Sequence, residues 1–349
     1  MFSWGIFNGV KTARSRSSQS ARGVSPRAQS KSAASPPLKI DNVLVPIDFS
    51  PASLQVIEFA LPLLKKFGAE LHLVHVFAPD YPLATMAAMP LIVPELEVGR
   101  SVRRHLKDVA SEYKIELRQQ NIHALKGSPF EEICRLAREI GIDLIVLSTR
   151  GNTGLKHLVL GSTAERVIRY SPCPVLVVRG GDREKKGRDE KSRRASGFRK
   201  ILVPIDFSDC SMKGLAYAKA LAKEFDAALV LLHSVNLQYY VASDEYARYD
   251  FPLLMQQAEE AAKQQMRDLV QRTDWEGTKV EPSLQIGHAG NQICARAKDH
   301  GADLIVSSTH GTTGLKHVLL GSTAEYVVRH AHCPVLIVPS HERPVIAST

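Results

Sequence analysis

The chain has 349 residues, of which 44% are hydrophobic and 23% are charged, and its mean hydropathy is −0.11. These values exclude a wholly disordered protein, and no apolar run approaches the roughly 18 residues that a membrane-spanning helix needs. The formal charge is +9, but residues 1–40 contribute +7 and residues 179–200 contribute +6, which leaves about −4 for the rest. The basic residues therefore lie in a tail and a linker, and a basic face that follows a nucleic-acid backbone is not supported.

The N-terminal residues 1–38 are rich in serine, arginine and alanine and contain no acidic residue. This composition favours a disordered tail in a cytoplasmic protein. A transit peptide is the alternative if the source is eukaryotic, and the protein is then organellar. The five cysteines form no CxxC pair, which favours free thiols in a reducing compartment over a disulfide scaffold. The histidines form neither HxxxH nor HExxH, so no metal site is predicted.

Strands and helices alternate along the first half. An apolar run predicts a strand over 43–47, and Ser50 and Pro51 then supply an N-cap and a first-turn proline for a helix that ends near Gly68. The following elements are predicted in the order strand 71–76, helix 95–120, helix 129–141, strand 143–147, a helix from Gly161 and strand 174–178. This alternation predicts a parallel sheet with right-handed crossovers and helices on both faces.

The chain repeats itself. Residues 45–50 read VPIDFS, and the same six letters recur at 203–208. Residues 148–178 and 308–338 are identical at 21 of 31 positions, at an offset of 160. The repeats predict a duplicated domain. We divide the chain into a basic Ser/Arg-rich tail (1–38), a first domain (39–179), a charged linker (180–198), a second domain (199–340) and a C-terminal tail (341–349).

A glycine-containing loop follows the third predicted strand, at the edge of the sheet where parallel α/β folds bind ligands. It begins with Ser148 and Gly151, and Gly161 then opens a helix with Ser162 and Thr163. Glycines let an anion approach the backbone, the helix N-terminus favours negative charge, and hydroxyls donate to phosphate oxygens. The alternative is that the glycines make turns and that Ser162 or Thr163 simply caps the helix.

Asp48 directly follows the first predicted strand. Its carboxylate suits hydrogen bonds from ribose hydroxyls or from an exocyclic amine. Asp-Phe-Ser at a strand–helix junction is also a common turn and cap. From the residues alone, both interpretations stay open.

The VPIDFS strand, the His-Val end of the second strand and the block GLKHLVLGSTAE followed by CPVLVV together resemble the universal stress protein family. The resemblance covers both halves and leaves out the tail and the linker. It implies two tandem domains, each a five-stranded parallel sheet with helices on both faces, of the adenine-nucleotide α-hydrolase, Rossmann-like type. One branch of the family binds ATP through a G-2x-G-9x-G-[S/T] loop.

The resemblance carries this nucleotide site onto both halves. Asp48 and Asp206 match the aspartate that contacts the nucleoside, while Val76 matches the residue whose backbone meets the adenine and has Ser234 as its counterpart. The candidate nucleotide-binding residues are Pro46, Ile47, Asp48, Val76, Ser148, Gly151, Gly161, Ser162 and Thr163 in the first half and Pro204, Ile205, Asp206, Ser234, Ser308, Gly311, Gly321, Ser322 and Thr323 in the second.

The chain departs from the family loop at its first glycine, which is Ser148 in one half and Ser308 in the other. The serine Cβ makes a positive φ or a very close phosphate approach costly, although the hydroxyl adds a donor. Arg150 and His310 also differ between the two loops, which indicates unequal sites.

The resemblance implies a tandem universal stress protein that binds ATP, ADP or AMP, with or without Mg²⁺, as a stress-response regulatory module. The alternative is a non-nucleotide interaction protein of the same fold. A slow ATPase ranks lowest, because no catalytic residue that positions water can be named. The apolar runs 175–178 and 335–338 are candidate edge strands that pair the halves as an intramolecular pseudo-dimer, with a homodimer as the alternative pairing.

Overall fold

One sheet contains all the strands of the described residues. The computed structural model describes residues 38–77, 95–149, 160–179, 197–235, 251–309 and 320–340. The strands are β1 (Asn42–Pro46), β2 (Glu70–Phe77), β3 (Ile122–Lys126), β4 (Leu144–Ser148), β5 (Val175–Val178), β6 (Lys200–Pro204), β7 (Ala228–Val235), β8 (Val280–Ile286), β9 (Leu304–Ser308) and β10 (Val335–Val338). The described helices are α1 (Pro51–Phe67), α2 (Glu95–Glu112), α3 (Pro129–Glu139), α4 (Ser162–Tyr170), α5 (Asp209–Phe225), α6 (Phe251–Arg272), α7 (Ala289–Asp299) and α8 (Ser322–His330).

The strand order is β3-β2-β1-β4-β5-β10-β9-β6-β7-β8. Neighbouring strands are parallel within each half, which confirms the predicted α/β fold. The halves meet through β5 and β10, which run antiparallel with Leu176 opposite Leu336. The described residues of both halves belong to one compact unit.

The start and end of α1 follow from local sequence. The Ser50 Oγ accepts a hydrogen bond from the backbone N–H of Ser53 at 3.2 Å, and Gly68 ends the helix with a φ of 66°. Both features confirm the prediction. In the second half Ser208 makes the same N-cap for α5, but the left-handed residue at the end is Asp226, with a φ of 53°. Asparagine and aspartate tolerate this conformation better than other side chains with a Cβ.

The helix predicted over 95–120 is too long, because α2 ends at Glu112 and β3 follows it. Lys114 ends the helix without a glycine, since its φ is 56° and its N–H bonds back to the Ser111 carbonyl at 3.0 Å. The residues of β3 show no pattern that predicts a strand. This strand lies at the edge of the sheet, where Ile122 is its one buried residue, so it lacks the apolar run that marks a central strand.

Helices cover both faces of the sheet. Val43 and Val45 belong to the core cluster that includes residues of α1, α2, α5 and α6. Leu44 belongs to the cluster on the other face, which includes residues of α3, α4, α7 and α8. All three side chains are fully buried, and burial on both faces explains the uninterrupted apolar letters of the central strands. No helix within the described ranges has the length and apolar character needed to cross a bilayer.

Candidate functional site

A cavity of about 320 Å³ lies beyond the carboxyl ends of β1, β2 and β4, next to α3 and α4. Its lining residues are Pro46, Ile47, Asp48, Ser53, Val74, His75, Val76, Pro129, Ile133, Leu147, Ser148, Thr149, Gly161, Ser162, Thr163, Ala164 and Val167. The volume falls in the range of small-molecule sites, and the position is the edge at which parallel α/β sheets bind ligands.

The structure brings together eight of the nine candidate residues of the first half. The residues that line the cavity are Pro46, Ile47, Asp48, Val76, Ser148, Gly161, Ser162 and Thr163. Gly151, Gly311, Arg150 and His310 lie outside the described residues. The equivalent positions at the ends of β6, β7 and β9 and the start of α8 are held by Pro204, Ile205, Asp206, Ser234, Ser308, Gly321, Ser322 and Thr323.

Asp48 forms the turn between β1 and α1. Its Oδ1 accepts hydrogen bonds from the Ser50 backbone N–H at 3.0 Å and from the Ser50 hydroxyl at 2.5 Å. Asp206 accepts the same two bonds from Ser208, at 3.0 and 2.6 Å. The turn interpretation is therefore confirmed in both halves. It does not exclude a ligand, because Asp48 also lines the cavity.

Phe49 adopts a strained backbone conformation at this turn. Its φ is 61°, and Phe207 has the same φ in the second half. The Phe49 ring lies 4.7 Å from the His75 ring, whose Nδ1–H donates to the Ile47 carbonyl at 2.7 Å. Left-handed backbone in a bulky residue costs of order 1 kcal/mol or more and is typical of functional sites. The strained backbone of Phe49 was not predicted from the sequence. The signal that could have pointed to it is the exact repetition of the Asp-Phe-Ser triplet in the second half.

The N-terminus of α4 faces the cavity without a side-chain cap. Gly161 occupies the N-cap position, and Ser162 and Thr163 are the first two helical residues. The capping alternative therefore does not hold for these two hydroxyls. The Gly161 N–H donates to the Thr149 carbonyl at 2.9 Å, and a Cβ at Gly161 would lie 3.3 Å from that oxygen. Glycine is favoured by this close contact and not by a positive φ, since φ is −61°.

The lining has an apolar zone and a polar zone. Leu147, Ile133 and Val167 are buried and form the apolar zone with Val76. The polar zone includes Asp48 and the first turn of α4, whose N–H groups favour an anion. This arrangement suits a ligand with a flat apolar part, a hydroxyl-bearing part and an anionic part.

The second half is more polar at two of the equivalent positions. Ser234 stands where the first half has Val76, and Ser307 stands where it has Leu147. The Ser234 hydroxyl donates to the Gly287 carbonyl at 2.8 Å. The apolar zone is therefore reduced in the second half.

A pair of neighbouring residues also differs between the halves. In the first half the Arg166 guanidinium lies 4.9 Å from the centre of the Phe130 ring, a cation–π contact between α4 and α3. In the second half the same two positions hold Tyr326 and Gly290, and a Cβ at Gly290 would lie 2.6 Å from the Tyr326 ring. The space between the two helices is therefore filled by Phe130 and Arg166 in the first half and by Tyr326 next to Gly290 in the second.

The cysteines supply no nucleophile to the cavity lining. All five are free, as predicted, and Cys134, Cys173 and Cys333 are buried. Burial raises the pKa of Cys134 to about 11 and that of Cys333 to about 12, which keeps both thiols neutral. Among the lining residues, the titratable side chains are Asp48 and His75, and both already hold structural hydrogen bonds.

Two histidines form a pair on β2 and β3, away from the cavity. The ring nitrogens His72 Nδ1 and His123 Nε2 lie 3.2 Å apart. Burial lowers the pKa of His72, and burial together with the His72 and Arg103 charges lowers that of His123 to about 4. Across the described part of the chain, no cluster of three metal-ligating side chains is present.

Comparison with known proteins gives consistent results for both halves. The model of the universal stress protein family matches residues 39–179 and 197–339. A universal stress protein of Methanocaldococcus jannaschii is 36% identical over 143 residues, which are 40% of this chain and 82% of that protein. Another, from Mycobacterium tuberculosis, is 24% identical over 302 residues, which are 84% of this chain and 95% of that protein. The crystal structure of a universal stress protein from Archaeoglobus fulgidus superposes with a TM-score of 0.57 at 23% identity, covering 86% of this chain and 99% of that one.

Proposed function

Because this chain belongs to the universal stress protein family, we propose that it binds ATP or a related adenine nucleotide and acts as a stress-response regulatory module. The observation that carries the proposal is the convergence of eight candidate residues around one cavity at the carboxyl edge of the sheet. These residues come from four separate segments of the sequence. Their convergence is the arrangement that a shared ligand requires.

The two zones of the cavity fit the parts of a nucleotide. The adenine would lie against Val76 and Leu147, and the ribose hydroxyls would donate to Asp48. The phosphates would lie at the α4 N-terminus, where Ser162 and Thr163 offer hydroxyls. Asp48 is the carboxylate among the lining residues, and its Oδ1 is used by the turn. An accompanying Mg²⁺ would therefore take its ligands mainly from phosphate oxygens and water.

The proposed activity is binding without rapid turnover. Hydrolysis needs a positioned water, and the titratable lining residues Asp48 and His75 both hold the β1–α1 turn. We further propose that the halves act as an intramolecular pseudo-dimer in the cytoplasm. The antiparallel pairing of β5 with β10 supports the pseudo-dimer. The five free thiols support the cytoplasm, because it is a reducing compartment.

Isothermal titration calorimetry with ATP, ADP and AMP tests the proposal, with GTP as the control for base selectivity. Gly161→Val would place a branched side chain against the Thr149 carbonyl and is expected to abolish binding in the first half. Gly321→Val makes the matched change in the second half and leaves the first site intact. Absence of binding heat for every nucleotide, in protein that has been freed of bound nucleotide and unfolds cooperatively, would favour an interaction protein of the same fold.

A further inference from the structure

A second cavity, of about 270 Å³, lies at the opposite edge of the sheet, at the amino ends of β1, β4 and β5. Both halves contribute to it, and both members of three equivalent pairs line it: Leu63 with Leu221, Leu144 with Leu304, and Leu176 with Leu336. Because the equivalent residues Leu176 and Leu336 are also opposite each other in the strand register, the pseudo-two-fold axis of the chain passes between them. We call this space the seam cavity.

The buried wall of the seam cavity is apolar, and charged side chains also line the cavity. Leu63, Leu176, Leu221 and Leu336 are all at most 5% exposed, yet they border unfilled space. Protein interiors are close-packed and contain few voids larger than a water molecule. Water next to these leucine side chains would find few hydrogen-bond partners, so an apolar ligand would displace it at little cost.

Each charged group at the seam cavity already holds an ion pair or a hydrogen bond to the backbone. Lys39 lies 2.5 Å from Asp41, and Asp143 accepts the backbone N–H groups of Asp41 and Asn42 at 2.8 and 2.9 Å. The Arg138 guanidinium donates to a backbone carbonyl at 3.1 Å. The two cations and two carboxylates among the lining residues cancel in formal charge. The cavity therefore offers no uncompensated charge to an ionic ligand.

The cavity opens on the side of the first half. The exposed lining residues are Lys39, Asp41, Arg138 and Gly141, all from that half. The second half differs because Phe198 stands where the first half has Ile40 and packs on the Phe225 ring at 5.3 Å. The cavity is therefore accessible to a ligand at its first-half end, although equivalent leucines of both halves form its wall.

We propose that the seam cavity is a binding site for a neutral, compact aromatic or aliphatic hydrocarbon-like molecule. A dry cavity of about 150 Å³ lined by leucine, isoleucine and phenylalanine binds benzene, so a space nearly twice as large fits a two-ring molecule. Its ligand contacts both halves and therefore stabilises their association by mass action. This site is separate from the proposed nucleotide site and does not depend on it.

Naphthalene is the probe for the full chain, with saturation-transfer NMR and thermal unfolding as readouts. We expect saturation transfer to naphthalene and a rise in melting temperature, and we expect neither with decanoate. Leu336→Phe fills the cavity from the second half and is expected to weaken naphthalene binding at least tenfold. Leu63→Phe fills it from the first half and serves if the former variant does not fold.

The matched control is Leu147→Phe, which fills the other cavity and is expected to leave naphthalene binding unchanged. The proposal is overturned if the wild-type chain does not bind naphthalene. It is also overturned if both filling variants bind it like the wild type. If only Leu147→Phe loses naphthalene binding, naphthalene binds in the proposed nucleotide site and the proposal is overturned. Tighter binding of decanoate than of naphthalene would contradict the proposal that the ligand is neutral.

Discussion

Replacing Asp48 by asparagine separates the two roles of this carboxylate. Asparagine keeps an Oδ1 acceptor for the Ser50 N–H and hydroxyl, which donate to Asp48 at 3.0 and 2.5 Å. It replaces the other carboxylate oxygen by an NH₂ group, which cannot accept a hydrogen bond from a ribose hydroxyl, and it removes the negative charge. Alanine, in contrast, removes the acceptor as well and leaves the strained Phe49 turn without its hydrogen bonds.

The hydrogen bonds of Asp48 allow the loss of stability and of ATP affinity to be estimated for both variants. Asp48→Ala loses two hydrogen bonds to a charged acceptor, which lowers the free energy of unfolding by about 2–4 kcal/mol. Asp48→Asn keeps both bonds in weaker form and loses about 1 kcal/mol or less. For ATP binding, losing a charge-assisted hydrogen bond of about 1.5–3 kcal/mol predicts roughly 10- to 150-fold weaker affinity in either variant.

Urea unfolding measures the stability of each variant, and calorimetric titration measures its ATP affinity. Asp206→Asn is the matched control, because it makes the same change in the second half and leaves the first site unaltered. The reasoning is refuted if Asp48→Asn binds ATP like the wild type. Equal stability of the alanine and asparagine variants would refute the structural role of the turn.

Three further predictions concern the differences between the halves and the histidine pair. Ser234→Val with Ser307→Leu restores the apolar zone of the second half, so we expect its adenine-nucleotide affinity to rise at least about tenfold by calorimetry. Gly290→Phe clashes with Tyr326 and should lower the free energy of unfolding by about 1–3 kcal/mol, while adding Tyr326→Arg, the first-half pair, should recover most of it. Burial holds the pKa of His123 at about 4, below its ordinary 6.5, so the unfolded chain binds more protons in this interval. The melting temperature should therefore fall as the pH drops from 6.5 towards 4, and less steeply in His123→Gln.

Each of these predictions has its own control. The double variant Val76→Ser with Leu147→Ser should weaken nucleotide binding in the first half by a similar factor. Unchanged nucleotide affinity in both double variants would contradict the role given to the apolar zone. A double variant as unstable as Gly290→Phe alone would contradict the pairing of the two helices. An unchanged pH slope in His123→Gln, with the exposed His288→Gln for comparison, would show that other groups govern acid stability.

The sequence predicts the central strands and the turn elements well, because their signals are local. The N-cap at Ser50 and the left-handed Gly68 at the end of α1 follow from residue type alone. Repetition transfers the N-cap to Ser208 in the second half, whereas the end of α5 is not marked by a glycine. β3 could not be predicted in this way, because an edge strand with one buried residue has no distinctive apolar pattern.

The candidate site depends on contacts between distant segments, which no local pattern reveals. Convergence of Asp48, Val76 and Ser162 around one cavity was expected from the family resemblance and from the edge rule for parallel sheets. The strain at Phe49 depends on the whole junction and was not predicted. Likewise, the seam cavity exists only where the two halves pack together, so its lining residues carry no signal in either repeat alone.

The nucleotide content of the purified chain tests the central claim most directly. The protein is purified without added ligand, denatured, and its supernatant is analysed by anion-exchange chromatography against a known protein concentration. We expect adenine nucleotide in the supernatant, lost in Gly161→Val and retained in Gly321→Val, because the first half has the more apolar base pocket. An empty wild-type protein that also fails to bind added ATP would contradict the account.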